Sequence, residues 1–265
     1  MTTQQYRLEV DADKVGVLTL DRPQTLNSLT FELYAQLEKL FVDLETDARV
    51  KSLVLTGAGR GFCSGGNVEE IIGKLFERDA AGTLEFTRMT GAVVRNMRRL
   101  TKPIVAAIHG IAAGAGAVLA LASDIRVVGE KASFAFLFSK VGLTGADMGA
   151  AWLLPQVVGM GRATEILLLG DKIDAQEAHR IGLANKVVPQ ERVVEEAVAI
   201  ARRLATGPTA AHAMTKRLLV NEAGMDLDSA IEQEAQAQAL LLRMKDHREF
   251  YDAWREKREP RFTGR

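Results

Sequence analysis

Short apolar runs alternate with helical patterns along the first 190 or so residues, and this alternation constrains the fold more than any other feature of the sequence. Val15–Leu20 and residues 52–56 each end in a turn of Gly, Asp or Pro, as strands do. Ile104–Ile108 is apolar at every position, which is typical of a strand buried on both faces of a sheet. Alternating strands and helices predict an α/β fold.

Strand patterns cease after about residue 190. Residues 191–204, 208–221 and 226–258 all have helical periodicity, and the last segment is long enough to need a partner surface. That surface is either the core of the same chain or another subunit. We therefore divide the chain into a core of residues 1–200 and a C-terminal helical region of residues 201–265.

The composition excludes several classes of protein. Lys plus Arg total 34 and Asp plus Glu total 34, so net charge gives no reason to expect a nucleic acid or a membrane as partner. The one cysteine, Cys63, allows no internal disulfide. The N-terminus has no signal-peptide pattern, and no apolar run reaches the length of a membrane span. We therefore expect a cytoplasmic protein.

Several familiar catalytic motifs are absent from the sequence. Residues 57–62 and 114–119 each lack the third glycine of a dinucleotide-binding fingerprint, and no P-loop is present. Ser64 is one residue out of register for a nucleophile elbow. The four histidines are scattered without metal-ligand spacing, so no metal site is predicted.

Two glycine-rich turns remain, each directly after an apolar strand. Residues 62–68 read Phe-Cys-Ser-Gly-Gly-Asn-Val, and residues 109–117 read His-Gly-Ile-Ala-Ala-Gly-Ala-Gly-Ala. Small residues let the backbone approach a ligand closely, and a turn that opens a helix presents free N–H groups. Two such groups aimed at one oxygen would form an oxyanion hole. Tight packing between a strand and a helix would explain the same residues, so the pattern alone leaves both interpretations open.

These turns belong to a set of segments in which the sequence resembles the crotonase (enoyl-CoA hydratase/isomerase) superfamily along nearly its whole length. The segments, in matching order and spacing, are residues 20–23 with 27–29, 62–68, 103–110, 120–124, 175–178 with 182–183, and 256–258 with Pro260 and Phe262. The resemblance implies a spiral of ββα units with C-terminal helices that build trimers or paired trimers. It also implies an enzyme of fatty-acid or aromatic-acid breakdown that acts on coenzyme A thioesters and uses no other cofactor.

The resemblance also assigns residues to the site. The thioester carbonyl oxygen is expected between the main-chain N–H groups of Gly66 and Ala115, which stabilise the enolate formed in the reaction. Asn67 stands where relatives commonly have an acidic residue. A solvated surface charge is the alternative for Lys257. The residues expected to contact substrate or coenzyme A are Ser64, Gly65, Asn67, Gly116, Phe138 and, from a neighbouring subunit, Trp254 and Lys257.

The reaction depends on which acid–base groups surround this oxygen. A typical enoyl-CoA hydratase uses two glutamates, and the matching positions here are Val118 and Phe138, which cannot move a proton. Asp147 lies five residues before Trp152, as the catalytic aspartate does in dienoyl-CoA isomerases and in phenylacetate-pathway isomerases. The loop before it is one residue longer than in those relatives. The resemblance therefore implies isomerisation, with Asp147 as acid and base at a pKa raised by desolvation.

Alternatives stay open at this point. Asp147 is equally suited to be the N-cap of a helix that begins near Met148. Glu69 or Glu70 could supply a second carboxylate, although a solvated helix face suits at least one of them. The competing functions are a hydratase, hydrolase or dehalogenase on the same scaffold, and a non-catalytic relative that binds coenzyme A or RNA.

Overall fold

The computed structural model describes residues 4–265, and the strands within them form two sheets. The strands are β1 (Tyr6–Val10), β2 (Val15–Leu20), β3 (Ser52–Gly57), β4 (Ile104–Ile108), β5 (Ile111–Ala113), β6 (Ile125–Gly129), β7 (Ser133–Ala135), β8 (Ile173–Asp174) and β9 (Lys186–Val188). The larger sheet has the order β1-β2-β3-β4-β6-β9, and the smaller has the order β5-β7-β8. The larger sheet is parallel except for β1, which pairs antiparallel with β2.

Helices follow most of these strands and then fill the C-terminal region. The helices are α1 (Phe31–Thr46), α2 (Ala80–Arg99), α3 (Ala115–Ala122), α4 (Ala150–Val158), α5 (Met160–Leu169), α6 (Ala175–Arg180), α7 (Val193–Thr206), α8 (Thr209–Glu222), α9 (Leu227–Leu241) and α10 (Lys245–Glu256). One turn of π-helix, Val68–Gly73, lies between β3 and α2. No helix in residues 4–265 is both long enough and apolar enough to span a membrane.

The chain passes repeatedly from the larger sheet to the smaller one before it enters a helix. The succession β4, β5 and α3 shows the pattern, and β6 and β7 repeat it one step further along both sheets. After β3, Cys63 takes the place of the second strand by pairing with Ala112 of β5. This repeated passage is the predicted spiral of ββα units, and the predicted α/β class is confirmed.

The larger sheet is covered on both faces. Because successive side chains of a strand point to opposite faces, Ile104 and Ala106 enter the main core while Val105 enters a second core. The second core is closed by α7, which contributes Ala197 and Ala201. The prediction that β4 is buried on both faces is therefore confirmed. The proposed boundary at residue 200 falls inside α7, and the division into two regions stays a prediction.

The C-terminal residues differ from the single long helix predicted for residues 226–258. The structure has two helices, α9 and α10, and residues 242–244 separate them. The chain end then returns along α10, where the Asp246 carboxylate accepts hydrogen bonds from the N–H groups of Thr263 (2.7 Å) and Gly264 (2.8 Å). The break was not predicted because no Pro or Gly marks it in the sequence.

An ion cluster around the buried Lys216 fixes α8 to the core. Lys216 Nζ lies 2.8 Å from Asp124 Oδ2, and Arg98 of α2 lies 3.3 Å from the other carboxylate oxygen. The N–H of Ile104 also donates to Asp124 Oδ2, at 2.7 Å. Asp124 therefore joins α2, β4 and α8, and the spiral and the C-terminal helices are packed as one body at this point.

Candidate active site

The two glycine turns lie side by side. The Cys63 N–H donates to Ile111 O at 3.1 Å, and the Ala113 N–H donates back to Cys63 O at 2.9 Å. Gly65 follows with a φ of +96°, in the left-handed region that favours glycine. A Cβ at Gly65 would lie 2.9 Å from Ala113 O and 3.5 Å from Ala115 N. Glycine at this position therefore allows the first turn to touch the beginning of α3.

In each turn, the main-chain N–H that is expected to bind the thioester oxygen has no acceptor among the described residues. Beside Gly66, the Leu29 N–H donates to Gly65 O (2.7 Å) and the Asn67 N–H donates to Leu29 O (2.8 Å), whereas the Gly66 N–H makes no hydrogen bond. Ala115 is the first residue of α3, where an N–H has no acceptor within the helix. The two amides are therefore free to bind an oxygen, as an oxyanion hole requires.

Gly116 is placed by packing against the first turn. A Cβ at Gly116 would lie 2.3 Å from Cys63 O, much closer than real contacts of this kind. Glycine at this position therefore allows α3 to approach the backbone of Cys63. A contact between Gly116 and a substrate stays a prediction.

The side chains of Ser64 and Asn67 hold the first turn in place. The Ser64 hydroxyl donates to Thr25 O at 3.0 Å. The Asn67 amide oxygen accepts from the Glu70 N–H at 2.8 Å and caps the π-helical turn, while its nitrogen donates to Ser28 Oγ at 3.2 Å. Asn67 is therefore the N-cap of this turn. The predicted contacts of both side chains with a ligand stay predictions.

The two glutamates after this turn have different surroundings. Glu70 forms an ion pair with Arg22 at 2.6 Å, and Arg22 also donates to Ser28 O at 2.8 Å. Glu69 is exposed to solvent. The interpretation of Glu69 as part of a solvated helix face therefore agrees with the structure, and the Glu70 carboxylate is engaged by a cation.

Asp147 lies in the loop before α4, and its carboxyl is half-buried. Burial raises the pKa of the Asp147 carboxyl above its ordinary value, and a hydrogen bond from the Met148 N–H opposes this rise. That bond is 2.8 Å long. The N-cap of α4 is Gly149 and the helix begins at Ala150, so the alternative that Asp147 caps this helix is wrong.

The positions of the two hydratase glutamates are apolar and buried. Val118 of α3 has no exposed surface, and Phe138 is 8% exposed. Neither side chain can accept or donate a proton. Among the described residues, no Lys or Arg forms an ion pair with Asp147, and the hydrogen bond from the Met148 N–H is the only one that its carboxylate accepts.

The structure adds Tyr34, for which no sequence motif predicts a role. The Tyr34 hydroxyl lies 3.9 Å from Met148 Sδ, and its electrostatic interactions are with Asp147 and Cys63. Burial, aided by these two groups, raises the pKa of the phenol well above its ordinary value, so Tyr34 stays neutral. A tyrosine within the apolar stripe of α1 was the available signal, because its polar end needs a partner when it is buried.

Trp254 and Lys257 lie at the C-terminal end of α10. Trp254 is 69% exposed, and no hydrogen bond or ion pair among the described residues links either side chain to the glycine turns. Within one chain, then, the structure does not bring these two residues to the site. Their expected contact with coenzyme A, made from a neighbouring subunit, stays a prediction.

The sequence matches the family Enoyl-CoA hydratase/isomerase over residues 11–265. It is 39% identical over 256 residues, 95% of both chains, to the 1,2-epoxyphenylacetyl-CoA isomerase of Escherichia coli K12. It is 30% identical over 247 residues, 93% of both chains, to the short-chain-enoyl-CoA hydratase of Clostridium acetobutylicum.

Solved structures agree with this assignment. A crystal structure from Streptomyces coelicolor A3(2), named a "putative enoyl-CoA hydratase", superimposes with a TM-score of 0.97 at 53% identity and covers 99% of this chain and 95% of its own. The enoyl-CoA hydratase of Bacillus anthracis has a TM-score of 0.93 at 30% identity, with 99% and 100% of the two chains covered. The chain therefore belongs to the enoyl-CoA hydratase/isomerase family of the crotonase superfamily.

Proposed function

We propose that this chain isomerises an unsaturated acyl-CoA by moving a double bond or rearranging a ring. One combination of features supports the proposal: the glycine turns carry two free main-chain amides, the Asp147 carboxylate is half-buried, and Tyr34 interacts with both Asp147 and Cys63 of the first turn, while the positions matched to the hydratase glutamates are apolar. One carboxylate is sufficient for isomerisation because the same group can remove a proton and return it. Hydration by the two-glutamate route needs two.

In the proposed mechanism, the Asp147 carboxylate removes a proton from a carbon of the acyl chain. The electron pair of the broken C–H bond moves into the conjugated system and places negative charge on the thioester oxygen. The N–H groups of Gly66 and Ala115 stabilise this enolate. The carboxylic acid of Asp147 then returns the proton to a different carbon, and the thioester carbonyl re-forms.

The surroundings of Asp147 suit this task. A raised pKa makes the carboxyl a better proton donor near neutral pH than an exposed aspartate. Val118 and Phe138 are buried and apolar, so neither competes with Asp147 for the proton. Each main-chain donor of such a hole typically contributes about 10² to 10³ in rate.

Coenzyme A enters as part of the substrate, and the proposed chemistry uses no metal and no other cofactor. We propose that the loop of Ser64 and Gly65 holds the coenzyme near the thioester. Lys257 and Trp254 of a neighbouring subunit complete the coenzyme site. The predicted cytoplasmic location stays a prediction.

We also propose assembly into a trimer, or a pair of trimers, through the exposed apolar surface of the C-terminal helices. Exposed apolar area of this kind marks a contact surface. It comprises Leu227, Ile231, Leu240, Phe250 and Trp254, of which Leu227 is 74% exposed. A second subunit on this surface would bury these side chains.

The direct test is a screen of CoA esters with the parent enzyme and Asp147→Asn. Crotonyl-CoA and CoA esters of unsaturated aromatic rings are incubated with each protein, and products are separated by liquid chromatography and identified by mass spectrometry. We expect the parent to give products that have the mass of the substrate but a different retention time. We expect kcat to fall about 10²- to 10⁴-fold in Asp147→Asn, as is typical for loss of a general acid–base group.

The matched control is Asp43→Asn, which changes an exposed carboxylate of α1 that pairs with Lys39. Its kcat should equal that of the parent. A product heavier by one water would support a hydratase instead, and release of free coenzyme A would support a hydrolase. Binding of CoA esters without any turnover would favour the non-catalytic alternative.

A further inference from the structure

The residue after Asp147 has a backbone conformation that side chains rarely adopt. Met148 has a φ of +50°, in the left-handed region that is unfavourable for a residue with a long side chain. Such conformations persist only where the surrounding structure fixes them, and they concentrate at functional sites. The conformation of Met148 therefore needs a cause nearby.

The contact between Met148 and Tyr34 supplies that cause. The Met148 side chain is 5% exposed, and its Sδ accepts the hydrogen bond of the Tyr34 hydroxyl at 3.9 Å. Tyr34 is 3% exposed, and its ring packs edge-on against Phe86 with the centroids 5.8 Å apart. Among the described residues, the thioether is the only hydrogen-bond partner of this phenol. Each buried side chain is thus held by the other.

The main chain of Met148 holds the carboxylate in turn. Its N–H donates to Asp147 Oδ1 at 2.8 Å, and no other hydrogen bond to this carboxylate is present among the described residues. One carboxylate oxygen is therefore fixed, and the other is left to accept a proton. A side chain anchored on Tyr34 also fixes the peptide plane that carries this N–H.

We infer that Met148 and Tyr34 are positioning residues for Asp147: the hydroxyl–thioether contact locks the peptide whose N–H orients the carboxylate for proton transfer. The inference rests on the proposed function, because it assigns Asp147 the proton transfer. Tyr34 lies on α1 and Asp147 lies 113 residues later in the sequence, so the arrangement exists only in the folded chain.

The titratable groups that face this cluster are few. Tyr34 of α1 and Cys63 of the first glycine turn interact with each other, and Tyr34 interacts with Asp147. Burial raises the pKa of the Cys63 thiol to about 12, so it stays neutral, as does the phenol. No Lys, Arg or second carboxylate in residues 4–265 forms an ion pair or hydrogen bond with Asp147. A shift in the pH profile would therefore report on Asp147.

The test uses Tyr34→Phe, which removes the donor, Met148→Leu, which removes the acceptor, and the double variant. Because the Met148 N–H lowers the pKa of Asp147, loosening it should raise that pKa further. We expect kcat to fall about three- to tenfold in each single variant with KM unchanged. In the plot of kcat against pH, the midpoint of the acidic limb should shift to higher pH by about half a unit. This shift corresponds to about a threefold increase in the proton affinity of Asp147.

The double variant separates positioning from general destabilisation. Both single changes remove the same contact, so the double variant should be no slower than the worse single variant. Tyr6→Phe and Met97→Leu are the controls, since they make the same substitutions in β1 and in the buried core of α2. Both controls should keep the parent kcat and pH profile.

Two results would overturn the inference. If the single variants keep the parent kcat and pH profile, or lose only thermal stability, then the pair supports the fold and does not position Asp147. If the double variant is slower by the product of the two single effects, the contact does not act as one unit. Failure of the proposed function is distinct: Asp147→Asn would then retain the activity of the parent. Circular dichroism of every variant verifies that it is folded.

Discussion

At the residue scale, Asp147 meets two opposing demands. A base must be charged to accept a proton, but burial disfavours the charged carboxylate and raises its pKa. The Met148 N–H offsets part of this effect by donating to one oxygen. Replacing the charged carboxylate with the neutral amide of asparagine should therefore stabilise the fold, provided that the amide oxygen accepts the hydrogen bond from the Met148 N–H.

This conflict predicts that Asp147→Asn stabilises the protein at neutral pH. A carboxyl with a raised native pKa binds more protons in the folded state than in the unfolded state, so its contribution to stability falls as pH rises above its ordinary pKa of 3.8. Urea unfolding should give a higher free energy of unfolding for the variant than for the parent at pH 7.

The same experiment at acidic pH is the control. Below the ordinary pKa, the carboxyl is protonated in both the folded and the unfolded states, so the difference between the two proteins should disappear. A variant less stable than the parent at pH 7 would show that the charged form of Asp147 is favoured by the fold. Burial would then not be the dominant influence on this group.

Asn27 is a residue whose structural role could not be predicted from the sequence. Residues 27–29 were recognised only as part of a family pattern. In the structure, Asn27 is fully buried, and its amide nitrogen donates to the carbonyl groups of Ala58 (2.9 Å) and Gly61 (2.8 Å). It therefore holds the turn that precedes the predicted oxyanion hole. A buried amide has several possible partners, and only the folded chain identifies them.

At the element scale, the site depends on how closely α3 approaches the first glycine turn. Gly116 permits that approach, because any side chain there would collide with Cys63 O. The beginning of α3 carries the Ala115 N–H, so a displaced helix would move one of the two donors. Packing of this helix and the geometry of the hole are therefore linked.

Gly116→Ala should lower both stability and kcat, since its Cβ would lie 2.3 Å from a main-chain oxygen. Overpacking of this kind typically costs about 1 to 3 kcal/mol. Gly91→Ala in α2 is the matched control: its Cβ would meet nothing within 4 Å, so it should stabilise by about 0.5 to 1 kcal/mol and leave kcat unchanged. Thermal unfolding and steady-state kinetics measure both. Equal kcat values in the two variants would contradict the proposed dependence of the oxyanion hole on the packing of α3.

The elements that the sequence predicted were those with strong patterns. β2, β3 and β4 are apolar enough to be recognised as strands. The absence of strand patterns after residue 190 or so was also predicted, and β9 ends at Val188. β1 was missed because charged residues interrupt it at the sheet edge, where one face meets solvent. β5 and β7 have 3 residues each, too few to give a periodic signal. Their pairing depends on the spiral as a whole.

At the scale of the whole molecule, one chain holds only part of the proposed ligand site. The glycine turns and Asp147 belong to the spiral, whereas Trp254 and Lys257 lie at the C-terminal end of α10, with no hydrogen bond or ion pair to them among residues 4–265. The sequence could assign these two residues only through resemblance, because contacts between subunits leave no pattern in one chain. Full affinity towards coenzyme A should therefore require an oligomer.

Lys257→Ala should raise KM for a CoA ester about tenfold with kcat unchanged, as expected for loss of a hydrogen bond to a charged group far from the reacting carbon. Lys131→Ala, which removes an exposed lysine after β6, should change neither constant. Sedimentation should give a mass three or six times the 28.9 kDa of one chain. A monomer, or an unchanged KM, would contradict the shared site.

The central claim is that the Gly66 and Ala115 amides bind one thioester oxygen. A crystal structure of Asp147→Asn with an unsaturated acyl-CoA bound tests it most directly, because this variant should hold the ester without turnover. The account predicts the carbonyl oxygen within about 2.7 to 3.1 Å of both nitrogens. A thioester oxygen that contacts only one of these amides, or neither, would contradict it.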